Sequence, residues 1–244
     1  MPMFQKLVNG LTELLYPKTC LVCKNKLANR AAVEELVCRE CWKKIPLNLP
    51  PFCHRCGRRL EAKNFTKHIC PGCAKRQLHF DRAFSPCKYD GVIKELIHEF
   101  KYKNKDYLGP ALSRLMAEFI REYELPMDDF AAIVPIPLHK ARLREREFNQ
   151  AEILSRHIAE EFDKELIVDA LQRHRHTKTQ TDLETNERFL NVKGSFSVNK
   201  AGALKGKNLL VIDDVLTTGA TSSEAAGALK DAGAVIIFVL TLAN

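Results

Sequence analysis

The sequence predicts an α/β fold, with a domain on a mainly parallel sheet preceded by a small cysteine-rich domain. Three observations carry this. Eight of the nine cysteines fall in four C-x2-C pairs before residue 74. From residue 91 onward, short apolar runs of strand length alternate with amphipathic helical stretches, the order that builds parallel sheets. The segment VIDDVLTTGAT at 211–221 then sets two carboxylates at the end of an apolar run, ahead of a turn rich in Thr and Gly.

The chain opens MPMFQKLVNGLTELLYP, where Phe4, Leu7, Val8, Leu11, Leu14 and Leu15 recur at helical spacing and predict an N-terminal helix. These residues lack the uninterrupted apolar core and small-residue cleavage site of an export signal. No stretch approaches the roughly 20 apolar residues of a membrane span. A cytoplasmic protein without a membrane span is expected.

Cys20 and Cys23, Cys38 and Cys41, Cys53 and Cys56, and Cys70 and Cys73 form the four pairs. Two thiolates three residues apart grip one ion from a tight knuckle, and two knuckles complete the tetrahedron of structural Zn2+. Disulfides are the weaker reading in a cytoplasmic chain. Fourteen residues separate the first two knuckles and thirteen the last two, which suggests two zinc ribbons in series. A cross-braced pairing, first with third and second with fourth, is also compatible with the spacing. Closed four-cysteine sites stabilise a fold rather than catalyse. His54 and His68, beside the knuckles, are expected to be surface residues, and Cys87 a buried apolar side chain.

Residues 1–80 hold fifteen Lys and Arg against five Asp and Glu, whereas 81–244 hold twenty-three against twenty-five. The net charge of +8 therefore belongs to the first domain, which keeps about +6 once two zinc sites of formal charge −2 are counted. Such a surface is either simply solvated or attracts polyanions. Phe52, Phe65 and Trp42, interleaved with its cations, are candidates for stacking on single-stranded DNA.

The boundary is expected near Leu78 to Arg82, giving domains 1–80 and 81–244. In the second, 91–103 places Val92, Ile93, Leu96, Ile97 and Phe100 on one helical stripe, and 108–122 forms another helix. Ala131 to Val134 reads as a strand, followed by a Pro-bounded loop and a long helix. That loop carries Lys140, Arg142, Arg144 and Arg146, a solvated helix start or a clamp for an anion such as pyrophosphate. The stretch from Leu171 to Phe196, with Arg173, His174, Arg175, His176 and Lys178, reads as a mobile polar loop able to close over an anion. Residues 207–213 and 234–240 are strand-like, with a helix over 222–233 between them.

At 211–221, Asp213 and Asp214 end the strand, and Thr217, Thr218, Gly219, Ala220 and Thr221 lead into the helix. Free N–H groups and the helix dipole make that turn a phosphate cradle. Adjacent carboxylates beside it need a cation or hydroxyl donors. The alternative is an ordinary turn with Asp caps. The stretch resembles the phosphoribosyl pyrophosphate (PRPP) motif of type I phosphoribosyltransferases, which implies a type I phosphoribosyltransferase-like domain.

Across nearly its full length the chain resembles the ComF family. The resemblance rests on the cysteine knuckles, FKYK at 100–103, VPIPL with REFNQA after it, RHRHTKTQ and NERFLNVKGSF, and VIDDVLTTGAT. It implies a zinc ribbon joined to a phosphoribosyltransferase-like domain, and a part in DNA uptake during natural competence. By the same resemblance, Asp213 and Asp214 meet the ribose hydroxyls and are the candidate catalytic pair, and Thr217 to Thr221 hold the 5-phosphate. Arg142, Arg144 and Arg146 meet the pyrophosphate, with Mg2+ bound alongside PRPP. Partners implied are single-stranded DNA and other uptake proteins, a competence helicase among them. One position departs: the family commonly has Arg-Gly-Phe-Asn-Gln where this chain has Glu147, which weakens the pyrophosphate role of that loop. Three functional classes stay open: an active phosphoribosyltransferase, a nucleic-acid module of DNA uptake, and a PRPP-responsive regulator.

Overall fold

The computed structural model describes residues 18–27, 32–61, 68–102, 105–175, 185–199 and 201–244. The expected N-terminal helix, Phe65, and His176 with Lys178 lie outside them.

The first ribbon is a β-hairpin, β1 (Ala32–Val33) with β2 (Val37–Cys38), followed by the short helix α1 (Arg39–Lys43). The second ends in α2 (Pro71–Ala74). A strand, β3 (Arg82–Phe84), leads to α3 (Gly91–Tyr102) and α4 (Gly109–Glu122). Then come β4 (Ala132–Pro135), α5 (Lys140–Arg146), α6 (Gln150–Glu161) and β5 (Glu165–Leu166). β6 (Leu171–Arg173), α7 (Thr185–Val192) and β7 (Phe196–Val198) follow. The chain closes with α8 (Ala201–Leu204), β8 (Leu209–Val215), α9 (Ala220–Asp231) and β9 (Ile237–Ala243).

The main sheet runs β3-β9-β8-β4-β5 with every pair parallel. Parallel strands buried on both faces need apolar side chains on both, and the alternation of β8 supplies them. Leu210 and Ile212 join Ile133, Leu240 and Leu242 in one core with α3, α4 and α6. Leu209 and Val211 join Ala132, Val134, Ile237 and Val239 in the other with α9. β6 and β7 form a separate antiparallel pair above the second core.

The expected long helix is instead two. Glu147 takes φ 64°, left-handed, and ends α5. Asn149 restarts the chain, its side chain accepting from Ala151 N–H at 3.2 Å as N-cap of α6. The basic stretch expected as a loop is thus the helix α5. Arg173 also departs from expectation, because it sits in β6 opposite Phe196 rather than in a mobile loop. His174 N–H and Arg175 continue the tie, donating to Ser195 O at 3.0 Å and Lys193 O at 2.6 Å.

The ribbons are built into the edge of the sheet. Cys20, Val37, Cys41 and Ile45 belong to the same core as Phe84, Leu96 and Leu112. Ala83 N–H donates to Arg55 O at 2.8 Å, and Asn48 Nδ2 reaches both Gly57 O (2.9 Å) and Ser85 O (3.0 Å). Gly57, at φ 68°, lies so close that a Cβ would meet Ala83 O at 2.4 Å, an approach open only to glycine. Phe52 and Trp42, candidate stacking platforms, are instead half-buried against the first core, Phe52 against Phe119 and Tyr123 with ring centroids 5.9 and 5.1 Å apart.

Candidate functional site

The eight knuckle cysteines gather into two groups, Cys20, Cys23, Cys38 and Cys41, and Cys53, Cys56, Cys70 and Cys73. The pairing is serial, not cross-braced. Within each group all sulfurs lie within 4.8 Å of one another, with Cys23 and Cys38 at 3.8 Å and Cys56 and Cys70 at 3.7 Å. A tetrahedron with Zn–S of about 2.3 Å requires sulfurs about 3.8 Å apart. Disulfide bonds of about 2.05 Å are excluded at these distances.

The donor set fits the ion chemically as well. Burial raises the Cys20 thiol, but the N–H groups of Cys38, Cys23 and Val22 overcome it and bring the group down to about 6. Cys41, buried and hydrogen-bonded to the other thiols, is pushed up to about 12. Four thiols so close cannot all ionise unaided, and a divalent cation removes that conflict. Cys38 N–H and Cys70 N–H each donate to a facing sulfur at 3.3 Å, the support typical of knuckle thiolates. His54 and His68 stack on one another at 4.9 Å, exposed and outside both groups. Cys87 is buried and pushed up to about 12 by burial, an inert thiol as expected.

The second site is built at the C-terminal end of β8, where an open parallel sheet offers its ligand crevice. Asp213 and Asp214 lie within the strand, which runs on to Val215. Alternation sends their side chains to opposite faces. Asp214, buried, meets Lys101 Nζ of α3 at 2.8 Å on the side of the first core. Asp213 turns back to accept from Asp214 N–H at 2.8 Å. Burial raises the Asp213 carboxyl to about 7, with the Asp214 charge adding to it and Lys101 and Arg173 opposing. Lys101 is held above its ordinary range: burial would lower it, but Asp214 and Asp213 prevail against burial and against Arg146.

Two buried arginines complete the cluster. Arg146, at the end of α5, donates to Gln150 Oε1 (3.1 Å) and Tyr102 Oη (3.3 Å) and lies over the Tyr102 ring. Arg173 lies over Phe196 at 5.4 Å and is lowered to about 10 by burial, then by the charge of Arg142, with Asp213 opposing and Arg146 adding. Arg142 therefore stands within electrostatic reach of Arg173, one turn before Arg146 on the same helix face. Arg144, two residues out of step with them, is exposed.

The turn after β8 has the expected form. Gly219 takes φ 81° ahead of α9, and a Cβ there would press on the Phe80 ring at 3.4 Å. Leu216 N–H is used by Ala243 O and Ala220 N–H by Thr218 Oγ1. Among the described residues no hydrogen bond uses the N–H groups of Thr217, Thr218 or Gly219. The structure thus brings Asp213, Asp214, Arg142, Arg146 and the Thr217–Thr221 turn to one strand end and leaves Arg144 in solvent. Sequence reasoning had not singled out Lys101 as a site residue. Its signal was present, a lone cation following Phe100 on an otherwise apolar helix stripe.

Comparison with known proteins agrees. A double zinc ribbon domain matches residues 11–74 and a phosphoribosyl transferase domain matches residues 149–244. Competence protein F of Haemophilus influenzae is 29% identical over 92% of this chain and 96% of its own. DNA utilization protein YhgH of Escherichia coli strain K12 is 29% identical over 83% and 95%, and Competence protein ComFC of Bacillus subtilis 27% identical over 88% and 89%. The resemblance to the ComF family read from the sequence is borne out, with a double zinc ribbon preceding a phosphoribosyltransferase-type sheet. Among the described residues no helix is long and apolar enough to cross a membrane.

Proposed function

We propose that this chain acts in DNA uptake as a cytoplasmic protein of the ComFC type and binds PRPP with Mg2+ at the end of β8. The supporting observation is the cluster itself: Lys101, Arg146 and Arg173, with Arg142 nearby, surround two adjacent carboxylates beside a turn with free N–H groups. A single anion would be repelled by Asp213 and Asp214, and a polyol by nothing here. PRPP presents both, hydroxyls for the carboxylates and phosphates for the cations and the turn.

In this reading the Thr217–Thr221 turn at the start of α9 holds the 5-phosphate, with the N–H groups of Thr217, Thr218 and Gly219 as donors, and Asp213 and Asp214 accept from the ribose hydroxyls. Arg142 and Arg146, with Lys101 and Arg173, meet the pyrophosphate. Mg2+, when bound, neutralises charge on that pyrophosphate. Single-stranded DNA belongs to the N-terminal domain, where the net charge of +10 lies, with other uptake proteins as further partners.

Calorimetry with PRPP, with and without Mg2+, tests the site. Asp213→Asn with Asp214→Asn should weaken binding by roughly 1.5 to 3 kcal/mol for each charge-assisted bond lost. An unchanged affinity in that variant would remove the carboxylates from the site. Pyrophosphate release, or its absence, then separates glycosyl transfer from binding without turnover.

A further inference from the structure

We infer that the second zinc ribbon is part of the phosphate site, and that Arg58 and Arg76 are positioning residues for the turn that holds the 5-phosphate. Arg58 Nη2 donates to Thr217 O at 3.3 Å, and Arg76 Nη1 donates to Thr218 O at 3.4 Å. Both cations come from the ribbon, one beside the knuckle of Cys53 and Cys56, the other just past that of Cys70 and Cys73. They meet the turn across a cavity of about 250 Å³ also lined by Arg59 and Glu61.

In a trans peptide the C=O and N–H point in opposite directions. The carbonyl of Thr217 shares its peptide with the N–H of Thr218, and that of Thr218 with the N–H of Gly219. Holding both carbonyls toward the ribbon therefore aims both N–H groups away from it, toward the cradle. A cation on a carbonyl oxygen also polarises the peptide, making its N–H a better donor. These are N–H groups that no hydrogen bond uses among the described residues.

The hold is only as firm as the ribbon, and the ribbon is pinned. Arg55 donates to Leu78 O, Ala83 N–H donates to Arg55 O, and Asn244 Nδ2 donates to Cys56 O at 3.4 Å. The knuckle of Cys53 and Cys56 is thus fixed to β3 and to the chain end beyond β9. The second metal centre reaches the phosphate turn through two guanidiniums.

The assignment rests on the phosphoribosyl reading, so its test includes a readout without ligand. Full-length protein carrying Arg58→Gln with Arg76→Gln is compared with Arg59→Gln, which lines the same cavity without touching the turn. Zinc content, measured by elemental analysis, must stay at two per chain in both. With ribose 5-phosphate as the probe, the double variant should lose about tenfold in affinity, whereas inorganic pyrophosphate binding and the Arg59→Gln protein should be unchanged. In the ligand-free protein, the amide resonances of Thr218 and Gly219 should shift and exchange faster in the double variant only. Equal ribose 5-phosphate affinity in the wild type and double variant would overturn the assignment, and so would unmoved Thr218 and Gly219 amides. If the wild type bound neither PRPP nor ribose 5-phosphate, the phosphoribosyl reading would fall, and the amide measurement would still decide whether the ribbon orients the turn.

Discussion

Lys101 Nζ meets Asp214 Oδ1 at 2.8 Å, joining the last turn of α3 to the end of β8. The contact resolves the conflict of two adjacent carboxylates in a buried strand. Asp214 is paired from the side of the first core, whereas Asp213 turns back onto the Asp214 N–H.

Removing the cation should therefore cost more than an exposed ion pair does. Lys101→Met leaves Asp214 buried and uncompensated, a loss of about 3 to 5 kcal/mol for such a pair. Lys101→Met with Asp214→Leu should recover most of it, because two matched apolar side chains leave no stranded charge. Urea denaturation of the wild type and the two variants measures this. A loss below about 1 kcal/mol in Lys101→Met would mean that water screens the pair.

Asp213 sets a pH dependence with a definite sign. Its folded value, about 7, lies above the ordinary 3.8, so the folded state holds its proton more tightly than the unfolded state. The associated stability is fully present below about 4 and is lost as pH rises through about 7. Hydroxyl donors need the ionised carboxylate, so affinity for a phosphoribosyl ligand should rise over the same upper range. Asp213→Asn should flatten the stability profile. The phosphate's own ionisation, with a pKa near 6, remains in both proteins, so the difference between their calorimetric pH profiles isolates the carboxyl.

Much of this was legible in the sequence, because local chemistry fixes it. Knuckle spacing is a property of four residues, and VIDDVLTTGAT compresses strand, turn and helix start into eleven. That the sheet is parallel follows from strands alternating with helices. What was not legible depends on elements distant in the chain. Lys101 and Asp214 are separated by more than a hundred residues, and the roles of Arg58 and Arg76 need the ribbon to fold back on the turn. Phe52 packs on Phe119 and Tyr123 of the second domain, a contact that no local pattern around it shows. Arg173 was misread as loop because its apolar partner, Phe196, lies on β7, beyond α7 in the chain.

Glu147 holds a conformation that suits glycine. Its φ of 64° lets α5 stop and α6 restart, and a non-glycine side chain there costs roughly 1 to 2 kcal/mol. Glu147→Gly removes that cost but adds glycine's own entropy of about 0.5 to 1 kcal/mol, so a net gain of up to about 1.5 kcal/mol is expected. Glu147→Val, β-branched at a left-handed position, should instead destabilise and displace Arg146. Thermal melts of the two should shift in opposite directions; equal melts would mean that the break between α5 and α6 is held by Asn149 alone.

Zinc loss should be felt throughout the chain, contrary to what a self-contained ribbon would show. Each chain should carry two zinc ions, as elemental analysis will report, because eight thiolates fill two closed tetrahedra. Binding energies of about 10 to 16 kcal/mol for structural zinc are as large as a whole domain's stability of about 5 to 15 kcal/mol, so a ribbon without its ion does not fold. The first ribbon's Cys20, Val37, Cys41 and Ile45 are part of the core formed by Ile93, Leu96 and Phe100, and Lys24 of its knuckle pairs with the buried Glu99 at 3.7 Å. Unfolding that ribbon strips cover from α3, the helix that delivers Lys101 to Asp214. Cys38→Ser should therefore lower the melting temperature of the entire protein in one calorimetric transition and weaken the β8 site with it. Two transitions, the upper one unmoved, would show that the sheet stands without its ribbon.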